Sequence, residues 1–185
     1  MNKRKVIVVT DGDDYARAAV ESAVSKNGGR CISLSAGNPT TLTGSEIAEQ
    51  VMIAKHDPVV IMVDDNGNRD KGKGETALRS FASFPQIEII GALAVAATGH
   101  GKSGIKVNCS ISREGKKVDS AVDKEGVPIE GNEVFGDTVD ILNEINIPYI
   151  VGIGDPGKMN GFDDPLKGSP ITTLAIKTIL DQYPV

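Results

Sequence analysis

The sequence predicts an α/β domain of three layers: a mostly parallel sheet with helices on both faces. Three observations carry this. Short, continuously apolar runs (KVIVVT, PVVIMV, IIGALAVAA, PYIVGI) read as strands buried on both faces. Between them lie segments with apolar residues at helical spacing. No internal repeat or long linker breaks the alternation. Strand–helix–strand units close by right-handed crossovers, so successive strands run parallel. The expected layering is Rossmann/flavodoxin-like, in a single domain over 1–185.

Each element has its own signal. Lys5–Thr10 is the first strand. Asp13–Asn27 places Ala16, Ala19, Val20, Ala23 and Val24 on one helical face and stops at Gly28-Gly29. Arg30–Leu34 is the second strand. Thr43-Gly44-Ser45-Glu46 is a capping box opening a helix through Lys55, with Ile47, Val51 and Ala54 inward. Pro58–Val63 is the third strand. A helix from about Glu75 to Phe84 turns Ala77, Leu78, Phe81 and Ala82 inward, and Pro85 ends it. Ile87–Ala97 contains the fourth strand.

From Ile105 the period changes to two: IKVNCSIS, a turn at Glu114-Gly115, then KKVDSAV. This is a β-hairpin, inserted at about 105–123. Asp137 then caps a helix carrying Val139, Leu142 and Ile145. Pro148–Ile153 is the fifth core strand. Ser169-Pro170 sets a cap and an N1 proline ahead of a last helix, Ile171–Asp181.

The 185 residues suffice for one domain with a sizeable core. A net charge of −5 and a pI of about 5.1 argue against a nucleic-acid partner, which needs a basic stripe. Lys3-Arg4-Lys5 is the only basic cluster, and the apolar run behind it stops at Thr10-Asp11. That is too short for a signal peptide, and no stretch approaches a membrane span. The expectation is a soluble chain, with any membrane association peripheral. Cys31 and Cys109 sit in alternating runs at a spacing that suits neither zinc nor a redox pair. Without Trp, the core is aliphatic.

AATGHGKS, residues 96–103, fits a loose phosphate-loop pattern. Such a loop works only if a helix begins directly after it, aiming its N–H groups at the anion. Here Gly104 and period-two residues follow, so a Walker-type ATPase is not the reading. His56 and His100 fall in turns.

The stronger signal is positional. In a parallel sheet all strand C-termini share one edge. The first strand ends in Asp11-Gly12-Asp13, the third in Asp64-Asp65-Asn66, the fifth in Gly154-Asp155. With the order 2-1-3-4-5, strands one and three are neighbours and the ligand crevice lies between them. Asp11 and Asp64 then meet. Facing carboxylates repel unless a cation, a helix N-terminus or a raised pKa relieves them. A hard divalent ion, Mg²⁺ or Ca²⁺, suits such oxygen ligands, though no motif commits the chain to a cofactor.

Two further patterns overlap this edge. Acids after strand one, Asp64 after strand three, Thr98 after strand four and Lys158 after strand five resemble phosphoryl-accepting receiver domains. Lys158, however, stands beyond Gly154-Asp155-Pro156-Gly157, too far along the loop to complete the set. The acid placement also resembles Toprim folds, but their glutamate after the first strand is missing. Asp64, Asn66, Asn68 and Glu75 fit a calcium loop at positions 1, 3, 5 and 12, yet Arg69 stands where its glycine belongs. The structural alternative makes Asp11, Asp13 and Asp137 helix caps and DDNGN an Asx-rich turn.

Long segments extend the picture: VIVVTDGDDYARAAVESA, GGRCISLSAGNPT, HDPVVIMVDDNGN, AVDKEGVPIEGN, GDTVDILNEINIPYIVGIGDPGKMNGFDDP and GSPITTLAIKTIL. Together they resemble the soluble stage V sporulation protein AE family (AEa form) of spore-forming Firmicutes, from about Lys5 to Leu180. The resemblance implies a part in moving calcium dipicolinate into the spore and releasing it at germination. It also implies a peripheral place at the spore inner membrane, with other stage V sporulation proteins as partners. It carries over no catalytic residue.

The polar motifs shared with that family yield the candidate site. Asp11, Asp13, Asp64, Asp65, Asn66, Asn68 and Asp155 are the ligand or metal residues. Gly12, Ser35, Asn38, Asp137 and Thr138 are the anion-binding loops, joined by Thr98 from the receiver-like pattern, with dipicolinate a candidate ligand near helix N-termini at Gly12, Gly44 and Gly136. Two functions follow: a non-enzymatic binding module of the dipicolinate system, or a Mg²⁺-dependent phosphoryl-transfer enzyme. A hairpin projecting from the sheet offers a homodimer element.

Overall fold

In the computed structural model, which describes residues 3–67, 72–98 and 103–183, β1 (Arg4–Val9) lies inside a seven-stranded sheet. The chain continues through α1 (Asp14–Lys26), β2 (Arg30–Cys31), α2 (Gly44–Ile53), β3 (Val59–Met62), α3 (Lys73–Ala82) and β4 (Ile87–Val95). Then come β5 (Ile105–Lys106), β6 (Cys109–Ile111), β7 (Lys117–Val118), β8 (Glu133–Val134), β9 (Ile150–Ile153) and α4 (Pro170–Gln182). The sheet order is β2-β3-β1-β4-β9-β6-β7, and β5 pairs with β8 apart from it. Every neighbouring pair in the large sheet is parallel except β6–β7.

The apolar runs are continuous because both faces are covered. Val6 and Val8 of β1 face one core with Ile47 and Val51 of α2 and Leu78 and Phe81 of α3. Ile7 and Val9 face the other, with Val20 and Val24 of α1 and Ile176 and Ile179 of α4. Leu78 and Phe81 are fully buried, and each such side chain contributes about 1.5–3 kcal/mol of hydrophobic stabilisation. Gly44 lets α2 press on α3: a β-carbon there would stand 2.6 Å from Phe81 N.

Several expectations change. Strands one and three are neighbours, with Val6 opposite Val59. The order is nevertheless not 2-1-3-4-5: β4 flanks β1 on its other side, and β2 lies outside β3. Burial explains this. β1 pairs with β4 from Arg4 to Val9, whereas the two residues of β2 would leave most of that side of the β1 backbone unpaired in the core. The crevice survives the change, because β1 leads to α1 on one face and β3 to α3 on the other.

The second strand does not reach Leu34. A 3₁₀ turn, Ser33–Ser35, replaces it and leaves Leu34 65 % exposed. The Ser35 hydroxyl donates to Ile32 O at 2.6 Å and accepts from Met62 N–H at 2.8 Å, doing what a longer ladder would do. The hairpin exists between β6 and β7, with Gly115 at φ 73° in its turn. It is not a projecting insertion, however. β6 is wholly buried and pairs in parallel with β9, so the hairpin widens the main sheet.

No α-helix follows Asp137. A five-residue 3₁₀ turn, Asp140–Glu144, buries Ile141 and Leu142 and ends at an extended Ile145. Pro148 and the β-branched residues ahead of it resist helix continuation. Finally, Ser169 does not cap α4. It sits at φ 46° with no side-chain cap bond, and Asp163 caps instead, accepting from Ile171 N–H at 2.8 Å and Thr172 N–H at 3.1 Å.

Candidate functional site

The acidic tips of β1, β3 and β9 meet along the C-terminal edge of the sheet. At the exit of β1, Thr10 Oγ1 accepts from Val95 N–H at 3.0 Å, tying the strand end to β4. Gly12 follows where no side chain fits, since a β-carbon would lie 3.1 Å from Gly37 N and 3.2 Å from Asp64 Cβ. Asp13 is the cap of α1, accepting from Ala16 N–H at 2.8 Å. Asp11 accepts from Asp13 N–H at 3.3 Å.

At the exit of β3, Asp64 is held on all sides. Its Oδ2 accepts from Gly12 N–H at 3.2 Å and its Oδ1 from Asn66 N–H at 2.8 Å. Asn66 takes φ 54° to make this turn. Thr40 clamps the Asp64 backbone: its hydroxyl accepts from Asp64 N–H at 2.8 Å and its own N–H donates to Asp64 O at 2.9 Å. Asp65 turns the other way, accepting from Gly74 N–H at 2.7 Å and Glu75 N–H at 3.2 Å at the start of α3.

At the exit of β9, Asp155-Pro156-Gly157-Lys158 forms a tight turn, with Lys158 N–H donating to Asp155 O at 2.9 Å. Proline and glycine at its two central positions suit such a reversal. Asp155 Oδ1 accepts from Gly157 N–H at 2.9 Å, and its Oδ2 pairs with Lys158 Nζ at 2.7 Å. Lys158 is therefore part of the site, contrary to the sequence expectation, because the turn folds it back over the strand end.

The result is a carboxylate cluster. Asp11, Asp13 and Asp155 each bring an oxygen within 4.8 Å of the others. Burial, and then the charges of Asp13, Asp155 and Asp64, push the Asp11 carboxyl up to about 8. Asp64 is also raised, chiefly by burial, against the lowering effect of its bonds from Asn66 and Gly12. Lys158 is raised by its bond to Asp155 and by the nearby charges of Asp11 and Asp13. Asp11 and Asp64 are thus electrostatic neighbours joined through Gly12. The third carboxylate beside Asp11 and Asp13 is Asp155, and Asp64 has both oxygens engaged by amides.

The remaining candidates divide. Thr138 reaches this edge, its hydroxyl accepting from Asp65 N–H at 3.2 Å. Asp137 lies near Gly67 and helps to raise Asp64. Asn38 is exposed on the loop beside Gly37, whose N–H donates to Gly12 O at 2.8 Å. Ser35 is buried and occupied with strand backbone. Thr98 accepts from Lys124 Nζ at 3.2 Å. Gly136 precedes only the 3₁₀ turn, so it offers no helix N-terminus. Asn68 lies outside the described residues, as do 99–102 of the phosphate-loop match; the chain re-enters as β5, not as a helix.

Thr40, Lys124 and Asp163 were missed. Lys158 and Lys124 carried a faint signal, a D-P-G-K and a D-K-E-G turn. Nothing in the sequence marked Thr40, whose partners are backbone groups of Asp64, or Asp163, whose partners are two amides and a hydroxyl of α4.

The fold and this edge define an α/β protein with a cluster of carboxylates and one lysine where parallel-sheet proteins hold ligands. The family model for stage V sporulation protein AE1 (SpoVAE) matches residues 5–183, and the chain belongs to that family. Membership gives it a role in sporulation. Neither a curated protein nor a solved structure matches the chain. Among the described residues no helix is long and apolar enough to cross a membrane.

Proposed function

We propose that the chain is a non-enzymatic, cation-binding accessory module of the spore dipicolinate system, peripheral to the spore inner membrane and partnered by other stage V sporulation proteins. The observation that carries the cation part is the Asp11, Asp13 and Asp155 cluster. Three carboxylates so close are mutually unfavourable, as the raised Asp11 records, and a hard divalent cation relieves all three at once. These residues would hold Ca²⁺, with water completing its oxygen shell. The dipicolinate and membrane parts rest on the family resemblance.

Thermal melting tests the reading with Ca²⁺, Mg²⁺, dipicolinate and their mixtures. A ligand at a hundred times its dissociation constant stabilises the fold by about 2.7 kcal/mol. The Ca²⁺ shift disappears in Asp155→Asn. An unchanged melting temperature under every ligand sinks the proposal.

Lys158 favours one second reading, a Mg²⁺-dependent phosphoryl-transfer site. A lysine beside Asp155, next to a half-buried Asp11 at the end of β1, is a set that could balance phosphoryl charge. Asp64 suits the acceptor role poorly, with both oxygens on amides. Phosphomonoester turnover with Mg²⁺ that vanishes in Asp11→Asn supports this reading over the first.

A further inference from the structure

Against the Asp123–Val127 turn, whose Lys124 O accepts from Asp155 N–H at 2.9 Å, lies a cavity of about 240 Å³ at the ends of β4 and β8. Its walls include Val122, Ile129 and Phe135, and its polar groups include Thr98 and Lys124. Phe135 is 45 % and Ile129 37 % exposed, which costs solvation free energy unless something covers them. The Lys124 ammonium donates to the Thr98 hydroxyl at 3.2 Å. Two of its three N–H groups stay available, and the hydroxyl proton is free to point at an acceptor. This is a cation and a hydroxyl donor set against an apolar wall.

We infer that this cavity is a binding site for a small monocarboxylate with a flat apolar body, the carboxylate on Lys124 and Thr98 and the body against Phe135, Ile129 and Val122. The site is built in advance. Asp123 also lines the cavity, and its Oδ1 accepts from Glu125 N–H and Val127 N–H, both at 2.9 Å, which holds that oxygen inside the turn. Gly126 takes φ 75°, its carbonyl accepts from Arg113 N–H at 2.8 Å, and Lys124 O accepts from Asp155 N–H at 2.9 Å. Lys124 is therefore fixed at its backbone, which lowers the ordering cost of binding. Glu125 borders the same cavity and restricts the guest to one negative charge. The volume matches a single ring. The inference goes beyond the cation-binding reading and stands without it, since none of Asp11, Asp13 and Asp155 lines this cavity.

Benzoate, without added metal, is the probe. Followed by amide chemical shifts of the full chain, it gives saturable changes confined to residues 96–98, 122–125 and 129–135, and benzamide gives none. Lys124→Gln weakens binding about tenfold or more, the loss of one charge-assisted hydrogen bond. Lys124→Arg retains it, and Phe135→Ala weakens it. Asp11→Asn, which removes one of the three proposed Ca²⁺ ligands and does not line this cavity, leaves benzoate binding unchanged, so the two readings fail separately. Shifts that do not saturate, that map elsewhere, or that persist at full affinity in a folded Lys124→Gln chain overturn the inference.

Discussion

Lys158 Nζ lies 2.7 Å from Asp155 Oδ2, so the cluster of three carboxylates already contains its own cation. The ammonium is half in solvent, with 52 % of the side chain exposed. It neutralises one acid and leaves Asp11 and Asp13 facing each other. A divalent ion that needs Asp155 must displace it. Lys158→Met therefore strengthens Ca²⁺ binding, by up to about fivefold, the worth of an exposed ion pair of up to ~1 kcal/mol. Calorimetric titration of the two chains checks this. Weaker binding in the variant would mean that the lysine positions Asp155 for the ion rather than competing with it.

The pH dependence of stability follows from Asp11. Its folded carboxyl titrates at about 8 against 3.8 for the free group. The folded state therefore holds a proton that the unfolded chain has released. The stabilisation is complete below about pH 4 and is lost as pH rises through about 8. Asp64 is raised as well and acts in the same direction. Asp11→Asn removes the larger part of this slope and stabilises the chain at pH 8.5 by about 0.5–2 kcal/mol, as removing a strained functional group commonly does. Urea midpoints between pH 5 and 9 measure it. Ca²⁺ flattens the same slope in the natural chain, because the ion takes the place of the proton. An equal slope in both chains, with and without Ca²⁺, contradicts the assignment.

The sequence made the layers legible because burial on both faces writes itself as unbroken apolar runs, as in VVIM of β3. It also marked the caps made by near neighbours, Asp13 of α1 and the Thr43–Glu46 box of α2. Strand order was not legible. It depends on how much of RCISL stays a strand, and that is decided by Ser35 bonding Met62 across the sheet. In the site, the acids were visible as strand tips, but their grouping was not. Asp155 joins Asp11 and Asp13 only because β9 and the turn after it place it there. Asp64 is withdrawn by amides from Gly12, 52 residues away in the chain.

Asp163 shows how a distant cap supports α4. Its carboxylate is fully buried and accepts from two amides and from the Thr172 hydroxyl at 2.6 Å. Burial raises its pKa, and those three bonds oppose the rise. Asp163→Ala leaves the first turn of α4 without partners and costs about 1–3 kcal/mol, by the lost cap and the buried amides left unsatisfied. Asp163→Asn keeps one acceptor oxygen and costs less. Denaturant unfolding of both variants ranks them; equal stability of Asp163→Ala and the natural chain would remove Asp163 from this role.

The close approach of α2 to α3 depends on Gly44. A β-carbon at that position meets Ala77 O, Phe81 N and the Ser80 side chain, the last at 2.7 Å. Two of these three are helix backbone, which cannot swing aside as a side chain can. Gly44→Ala therefore forces the helices apart and costs about 1–3 kcal/mol, although alanine has the higher helix propensity. Gly44→Val costs more. The displacement also reaches the loop bearing Thr40, which holds the Asp64 backbone on both its N–H and C=O. The amide resonance of Asp64 therefore shifts in Gly44→Ala, whereas that of Asp155, on the far side of β1, does not. Unfolding midpoints and amide spectra test both parts, and a stabilised Gly44→Ala chain would show that the two helices have room to spare.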